Sequence, residues 1–144
     1  MKTFSTVSKI QAAPEAIWQI LTDAAAYPRW NTTVAKVDGR IALGETITVH
    51  VNAAPGRAFP VKVVVFEAPR RMVWRGGMPL GLFKGERTYE LRPLGAGQVE
   101  FSMRESFTGL LAPLIGRSIP DLQPAFVAFA ACLKARAERE RTPP

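Results

Sequence analysis

Residues Ala12–Asn31 carry the strongest structural signal in this chain, with the sequence AAPEAIWQILTDAAAYPRWN. Pro14 suits the first position of a helix, because the N–H group that proline lacks would have no helical partner there. Ile17, Trp18 and Leu21 then follow at the spacing that places apolar side chains on one helix face. The stretch therefore predicts a short amphipathic helix near the start of the chain.

The second half of this stretch predicts another short helical turn. Asp23 is placed to cap a turn over Ala24–Tyr27, because its carboxylate can accept a backbone N–H group. Pro28 is then expected to stop that turn, since the residue before a proline is biased away from the helical conformation. Trp30 follows as a bulky side chain that requires an apolar environment.

From Val34 onward the pattern changes to the alternation of apolar and polar residues that is typical of strands. Near the middle of the chain, Ile47, Val49 and Val51 alternate with polar side chains, including His50. These patterns predict six or seven antiparallel strands that share one apolar and one polar face. The clearest are Lys2–Ile10 at an edge, Glu45–Asn52, Phe59–Glu67, Met72–Arg75, Leu82–Arg92 and Val99–Thr108.

The chain ends with the pattern of a long helix. Asp121 is a plausible N-cap with Pro124 in the first turn, and Ser118 is the alternative start. An apolar stripe recurs at three- and four-residue steps and should pack on the sheet. Its members are Leu122, Phe126, Phe129, Ala130, Leu133 and Ala137.

Length and composition are typical of one globular domain. Hydrophobic residues make up 47% of the 144 residues, which excludes general disorder. The longest apolar runs are about half the length that a membrane span needs, and Met1–Phe4 does not lead into the apolar region of a signal peptide. We therefore predict one domain over residues 1–141, a loose tail at 142–144, a cytoplasmic location and no membrane insertion.

The sequence offers little material for a metal, a disulfide or specific nucleic-acid binding. Cys132 is the single cysteine and His50 the single histidine, so neither an internal disulfide nor a multi-histidine metal cage is available. The net charge is +7, but the basic residues are spread along the chain instead of being gathered with aromatics. We expect no cofactor, no metal and no specific nucleic-acid partner.

The opening helix–cap–helix–Pro–x–Trp–Asn pattern resembles that of the START-like superfamily, in its polyketide cyclase/SRPBCC branch. Two later segments resemble the same branch: Phe83–Leu91, with the sequence FKGERTYEL, and Glu105–Leu110, with the sequence ESFTGL. The resemblance implies an α+β helix-grip fold, in which a curved antiparallel sheet surrounds a long C-terminal helix and two short helices follow the first strand. Some relatives carry His where this chain has Arg87, so a His-dependent reaction would not transfer.

A helix-grip fold implies a ligand cavity between the sheet and the long helix. The same residues also suit an ordinary core, so a small domain of this type could be filled by its own side chains. The alternation places a set of side chains on the predicted cavity wall. They are Leu21, Trp30, Val49, Val51, Val63, Val65, Trp74, Phe83, Tyr89, Met103, Phe107, Phe126, Phe129 and Leu133, together with two charged residues discussed next.

Arg87 and Glu105 are the charged residues that the alternation directs inward, on neighbouring strands. A buried charge is costly unless it is paired, so one interpretation is a cross-strand ion pair. The other is a polar site in which Arg87 binds a carboxylate, enolate or phenolate, Glu105 acts as acceptor or base, and Tyr89 donates its hydroxyl. These three residues are the candidate catalytic groups, and none is assigned.

Three functions follow as alternatives. The favoured one is a non-catalytic carrier or sensor of a small hydrophobic molecule, such as a lipid, an aromatic or polyketide-like compound or an isoprenoid. The second is an aromatase/cyclase-type enzyme acting on a polyketide-like substrate, and the third is a partner-binding module like stress-response relatives of the superfamily. The oligomeric state is open, with a monomer or weak dimer expected.

Overall fold

The computed structural model describes residues 2–52 and 56–141. Seven strands and four α-helices form in these ranges, and two short 3₁₀ turns lie between helices. The strands are β1 (Lys2–Ile10), β2 (Val34–Asp38), β3 (Thr46–Val51), β4 (Phe59–Glu67), β5 (Arg71–Met78), β6 (Phe83–Gly95) and β7 (Gln98–Thr108). The helices are α1 (Pro14–Thr22), α2 (Tyr27–Trp30), α3 (Ala112–Ile115) and α4 (Gln123–Arg141).

The strands form one curled antiparallel sheet in the order β1-β7-β6-β5-β4-β3-β2. The long helix α4 packs on the inner face of this sheet through Phe126, Phe129, Ala130, Leu133 and Ala137, all of which are buried in the core. This arrangement confirms the predicted helix-grip fold, with seven strands and the short helices after the first strand. The predicted tail at 142–144 lies outside the described residues.

The opening stretch folds as predicted at its start and differs at its end. Helix α1 begins at Pro14 and buries Ile17, Trp18 and Leu21. Asp23 occupies the cap position of the following 3₁₀ turn, but its side chain makes no capping hydrogen bond, so the predicted role of its carboxylate is wrong. Pro28 does not stop the second turn either. It lies in the first turn of α2, where a missing N–H group costs nothing.

Helix α4 begins later than one of the two predicted starts. Asp121 accepts a hydrogen bond from the backbone N–H of Gln123 at 3.0 Å and so satisfies one of the free donors at the helix start. Ser118 belongs to the 3₁₀ turn Gly116–Ser118 and does not begin the helix. Asp121 therefore caps the helix as predicted, although it lies one residue before the N-cap position.

Strand β4 contains an irregularity that corrects one predicted wall residue. The pairing with β5 shifts between Val63 and Val65, which is the mark of a β-bulge. Beyond the bulge the alternation changes phase, so Phe66 packs against the core while Val65 does not. Val65 therefore lies on the outer face of the sheet, and its prediction as a wall residue is wrong.

Side chains of α4 cover the free edge of β1. Gln123 Nε2 donates to the Ser5 carbonyl at 2.7 Å, and Lys134 Nζ donates to the Lys9 carbonyl at 2.7 Å. These bonds tie the helix to the strand on the side that no neighbouring strand occupies. Within the described residues, no helix is long and apolar enough to cross a membrane.

Candidate functional site

The structure brings nearly all of the predicted wall residues together between the sheet and α4. Ten belong to the buried core: Leu21, Trp30, Val49, Val63, Trp74, Tyr89, Met103, Phe126, Phe129 and Leu133. Five more are half-buried: Val51, Phe83, Arg87, Glu105 and Phe107. Val65, on the outer face, is the exception.

Aromatic rings fill the deep part of this interior. Phe129 of α4 lies 5.6 Å from Trp30, 5.9 Å from Tyr89 and 6.3 Å from Phe101, measured between ring centroids. Tyr89 in turn lies 4.9 Å from Trp74, its neighbour across the sheet. The predicted walls thus contact one another, and a ligand in this space would have to displace rings.

Three side-chain donors in this aromatic cluster find no hydrogen-bond acceptor among the described residues, although Arg87 can donate to the oxygen of one of them, Tyr89. They are Trp30 Nε1, Trp74 Nε1 and the Tyr89 hydroxyl, each buried from solvent. A fourth buried donor without a partner is Asn31 Nδ2, although Asn31 Oδ1 accepts bonds from both the N–H and the hydroxyl of Thr33. Each such orphaned donor costs about 1–3 kcal/mol, so this number of them in one interior requires an explanation.

Above the aromatic cluster lies the predicted ion pair. Arg87 Nε and Nη2 each lie 2.7 Å from Glu105 Oε1, and the two residues are directly opposite each other on β6 and β7. Their side chains are only 20% and 16% exposed. The guanidinium also lies 4.8 Å from the ring centroid of Phe126 on α4. Arg87 and Glu105 therefore form a cross-strand ion pair, which is the first of the two interpretations given above.

Burial and charge determine the protonation of the neighbouring groups. Burial raises the pKa of Tyr89 to about 12, although the positive charge of Arg87 beside it acts to lower it. Burial alone would lower the pKa of Arg87, but the Glu105 carboxylate and Tyr89 raise it above its already high ordinary value. At neutral pH the site therefore presents a neutral hydroxyl donor beside a permanent cation.

The inner face is most accessible at one end of the sheet. Along β6, Phe83, Gly85 and Arg87 are half-buried, whereas Tyr89 further along is fully buried. On β7, Phe107 stacks on Phe83 with ring centroids 5.8 Å apart. Solvent access to the interior therefore decreases away from the turn between β5 and β6, and this end is the mouth of the candidate site.

Two depressions among the described residues lie outside the core. One is on the outer face of the sheet and is lined by Thr3, Glu86, Thr88, Arg104 and Ser106. The other lies between α1, α2 and α4, beside Asp23, Trp30 and Arg136. Over the same part of the chain, His, Cys, Asp and Glu form no group of three or more that could hold a metal ion.

Several site residues were not among the predicted ones. Phe4 of β1 contacts Phe107 and Phe126, with ring centroids 6.4 and 6.0 Å apart. Tyr27 is fully buried, and its hydroxyl donates to the Leu21 carbonyl at 2.6 Å. The alternation of β1 could have indicated Phe4, because it shares one face of that strand with Ile10. Tyr27 carried no comparable signal, since it begins the four-residue helix α2, which is too short for a periodic apolar pattern.

Comparison with protein families gives one match over most of the chain. The family model described as "Polyketide cyclase / dehydrase and lipid transport" matches residues 1–138. A curated relative is the "Oxopyrrolidines biosynthesis cluster protein O" of Penicillium oxalicum, which is 29% identical. The alignment covers 62% of this chain and 59% of that protein, so the chain spans about three fifths of the relative's length.

Solved structures share the fold at low sequence identity. The Zhui aromatase/cyclase from Streptomyces sp. R1128 superposes with a TM-score of 0.76 at 15% identity, covering 98% of this chain and 96% of that one. A START superfamily protein from Mycobacterium smegmatis gives a TM-score of 0.70 at 17% identity, covering 96% and 98%. At these identities the likeness establishes the fold alone.

Proposed function

Because the chain belongs to the polyketide cyclase/dehydrase and lipid transport family, we propose that it binds a small hydrophobic ligand between the sheet and α4. Its role is that of a carrier or sensor acting in the cytoplasm, and the ligand is a lipid, an aromatic or polyketide-like compound or an isoprenoid. The observation that carries the proposal is the set of buried donors without an acceptor among the described residues, Trp30 Nε1, Trp74 Nε1 and the Tyr89 O–H.

These donors favour a ligand over a permanently filled core. A core that evolved only for stability gains nothing from three orphaned donors, each of which costs about 1–3 kcal/mol. An apolar ligand with one or two carbonyl or hydroxyl oxygens would supply the missing acceptors and replace ring contacts with its own surface. Rotation of a few aromatic side chains would open the space, since these rings occupy the interior between α4 and the sheet.

The ion pair would orient such a ligand. Arg87 remains charged and offers further N–H donors beside those that bind Glu105. A carboxylate, enolate or phenolate oxygen near the mouth could accept a charge-assisted hydrogen bond from it, with the apolar body of the ligand directed toward Trp74 and Phe129. The Arg75–Glu86 pair on the outer face, with Arg75 Nη2 and Glu86 Oε2 2.5 Å apart, is a similar ion pair that lies outside the aromatic interior. It therefore serves as a control for Arg87.

Native mass spectrometry of gently purified protein, followed by solvent extraction, tests the proposal. We expect a retained small apolar molecule or, if the site empties during purification, saturable binding of the neutral fluorophore N-phenyl-1-naphthylamine. A protein that retains nothing and does not bind this fluorophore would contradict the proposal.

Two arginine variants then locate the site. Arg87→Met should weaken binding of the extracted compound about tenfold or more, because a charge-assisted hydrogen bond is lost. Arg75→Met, which breaks the outer pair, should leave affinity unchanged. Equal affinities in both variants, with folding checked by circular dichroism, would remove Arg87 from the site.

A second candidate function is an aromatase/cyclase-type enzyme, favoured by the adjacency of Glu105, Arg87 and Tyr89. The neutral Tyr89 hydroxyl would donate to a substrate carbonyl, and the Glu105 carboxylate would accept a proton from the adjacent carbon. An enzyme should turn over the extracted compound with a pH-dependent rate that Glu105→Gln abolishes. A carrier should return the compound unchanged at every pH.

A further inference from the structure

Four large apolar side chains are exposed at the end of the sheet where the candidate site opens. Met78, Leu80, Leu110 and Leu114 are 48%, 92%, 80% and 66% exposed, and we call them the apolar tip. Single exposed apolar residues are ordinary on protein surfaces, but several on adjoining segments indicate an interaction surface. The tip is therefore a candidate for contact with a partner.

Backbone hydrogen bonds hold the segments of the tip side by side. The N–H of Leu110 donates to the Gly81 carbonyl at 3.2 Å, and the N–H of Leu111 donates to the Leu82 carbonyl at 2.7 Å. These bonds join the turn between β5 and β6 to the connection between β7 and α3. Leu114 lies in α3, four residues after Leu110 in the chain.

The backbone at Leu80 gives no folding reason for a leucine. Its φ is 62°, in the left-handed region where Gly and Asn are favoured and a leucine costs stability. Its side chain is almost fully exposed, so no internal packing offsets that cost. An apolar side chain is thus held in solvent at a position where a small polar residue would suit the backbone better.

Charge at this end of the sheet is one-sided. Segments 56–61, 76–85 and 106–120 contain Arg57, Lys84 and Arg117 but no Asp or Glu. Lys2 adds a fourth cation, with its Nζ bonded to the carbonyls of Gly116 and Ile119. The nearest acids along the chain directly border these segments. They are Glu86, which pairs with Arg75 and Lys84, Glu105, which pairs with Arg87, and Asp121, which binds the start of α4.

The opposite end of the sheet carries both signs of charge. The connection from β2 to β3 runs through segment 38–45, which contains Asp38, Arg40 and Glu45. The turn from β4 to β5 likewise holds Glu67 beside Arg70 and Arg71. The segments around the apolar tip therefore differ from those at the opposite end in containing basic residues without acidic ones, and the complementary partner is anionic.

We propose that the apolar tip docks on the surface of an anionic lipid bilayer. The leucines enter the boundary between headgroups and acyl chains, while Arg57, Lys84 and Arg117 contact lipid phosphates. Docking requires no membrane-spanning helix. It would also bring the mouth beside Phe83 and Phe107 against the bilayer, but the docking itself does not depend on whether the interior binds a ligand.

Vesicle sedimentation with the full chain tests this proposal. We expect binding to vesicles of equal parts phosphatidylcholine and phosphatidylglycerol, little binding to phosphatidylcholine alone, and release at high salt because screening weakens the attraction. Leu80→Asn should reduce binding about tenfold, since an inserted leucine side chain is lost. Asn suits the left-handed backbone, so this variant should be at least as stable as the original chain.

Leu43→Asn is the matched control, because Leu43 is 64% exposed at the opposite end of the sheet. A second pair compares Arg117→Gln with Arg40→Gln, both at exposed arginines. Arg117→Gln should lower binding about fivefold and Arg40→Gln should not, because only the first charge lies near the lipid.

Three outcomes would overturn the proposal. The first is no binding to either kind of vesicle. The second is an equal loss of binding in Leu80→Asn and Leu43→Asn. The third is concentration-dependent self-association in gel filtration that Leu80→Asn abolishes without any effect on vesicle binding, because the tip would then bind a second copy of the chain.

Discussion

Several arginine–glutamate pairs bridge neighbouring strands of the sheet, and two of them differ clearly in their surroundings. In the Arg87–Glu105 pair the side chains are 20% and 16% exposed, whereas in the Arg75–Glu86 pair they are 48% and 31% exposed. The first pair also contacts the Phe126 ring and lies beside Tyr89. The same residue types therefore have different energetic roles on the two faces of one sheet.

Removing one carboxylate from each pair should separate these roles. Glu105→Gln leaves the Arg87 charge mostly buried without a counterion and should lower the free energy of unfolding by about 2 kcal/mol. Glu86→Gln exposes its arginine to water and should cost about 0.5 kcal/mol or less. Urea denaturation of both variants measures the difference, and equal losses would contradict it.

Tyr27 and Tyr89 are the only tyrosines, and both are fully buried. Burial raises the pKa of Tyr89 from 10.0 to about 12 and that of Tyr27 well above its ordinary value. We therefore predict that the folded protein forms almost no tyrosinate near pH 10, whereas the protein unfolded in urea ionises both residues there. Ultraviolet absorbance during an alkaline titration measures this, and coincident titrations of the two states would refute it.

The raised pKa of Tyr89 also fixes the sign of its effect on stability. Below about pH 10 the Tyr89 hydroxyl is protonated in both the folded and the unfolded protein, so its contribution to the free energy of unfolding is fully present. As the pH rises toward 12 the unfolded state releases the proton first, so the free energy of unfolding falls by about 1.4 kcal/mol per pH unit for this group. Tyr89→Phe removes that part of the alkaline loss and serves as the control.

At this scale the sequence predicted the inward direction of Arg87, Tyr89 and Glu105, because β6 and β7 alternate without interruption there. It failed at Val65, because a bulge inserts one residue and reverses the faces beyond it. A bulge within a run of three consecutive valines leaves no sign in the sequence, since either phase of the alternation remains apolar.

Helix α4 supplies the aromatic contacts that hold the sheet around it. Phe129 contacts four rings, those of Tyr27, Trp30, Tyr89 and Phe101, and is 1% exposed. Val127, two residues earlier on the same helix, is 53% exposed. The stripe predicted from three- and four-residue spacing therefore corresponds to the buried face of the helix.

Truncation of these two side chains should have very unequal effects on the free energy of unfolding. Phe129→Ala leaves a cavity among four rings and should cost about 3–5 kcal/mol. Val127→Ala removes mostly exposed surface and should change stability by about 0.5 kcal/mol or less. Thermal and urea unfolding measure both values. A small loss for Phe129→Ala would mean that the surrounding rings collapse into the space.

The elements after α1 were harder to predict than α4. Pro28 lies in the first turn of α2. A proline disfavours the helical conformation of the residue before it, but it also suits the first position of a helix. The sequence alone supports either role at this position. Tertiary packing decides between them by burying Tyr27 and Trp30 against the aromatic cluster.

Over the whole molecule, the order of the strands predicts an order of stability. Strand β6 lies between two long neighbours and pairs with β7 over most of its length, whereas β2 has five residues and pairs on one side only. We expect the backbone amides of β6 to exchange with deuterium most slowly and those of β2 most rapidly. Equal protection of the two strands in hydrogen-exchange mass spectrometry would contradict this.

At the same scale, the fold was more predictable than the state of the interior. Strand alternation and the helical stripe are properties of successive residues, so they can be recognised in the sequence. Whether the rings of Trp30, Trp74 and Phe129 fill the space depends on side-chain rotamers from distant segments. The sequence therefore predicted which residues line the interior but left open how fully they occupy it.

The bonds from Gln123 and Lys134 to the carbonyls of β1 have a consequence for behaviour at high concentration. An uncovered edge strand can add a strand from another molecule and so begin aggregation. Here α4 occupies hydrogen-bonding positions along one edge of the sheet. The other edge, β2, is short, is interrupted between Val34 and Lys36, and carries a charged lysine. Both edges thus resist growth of the sheet from one molecule into the next.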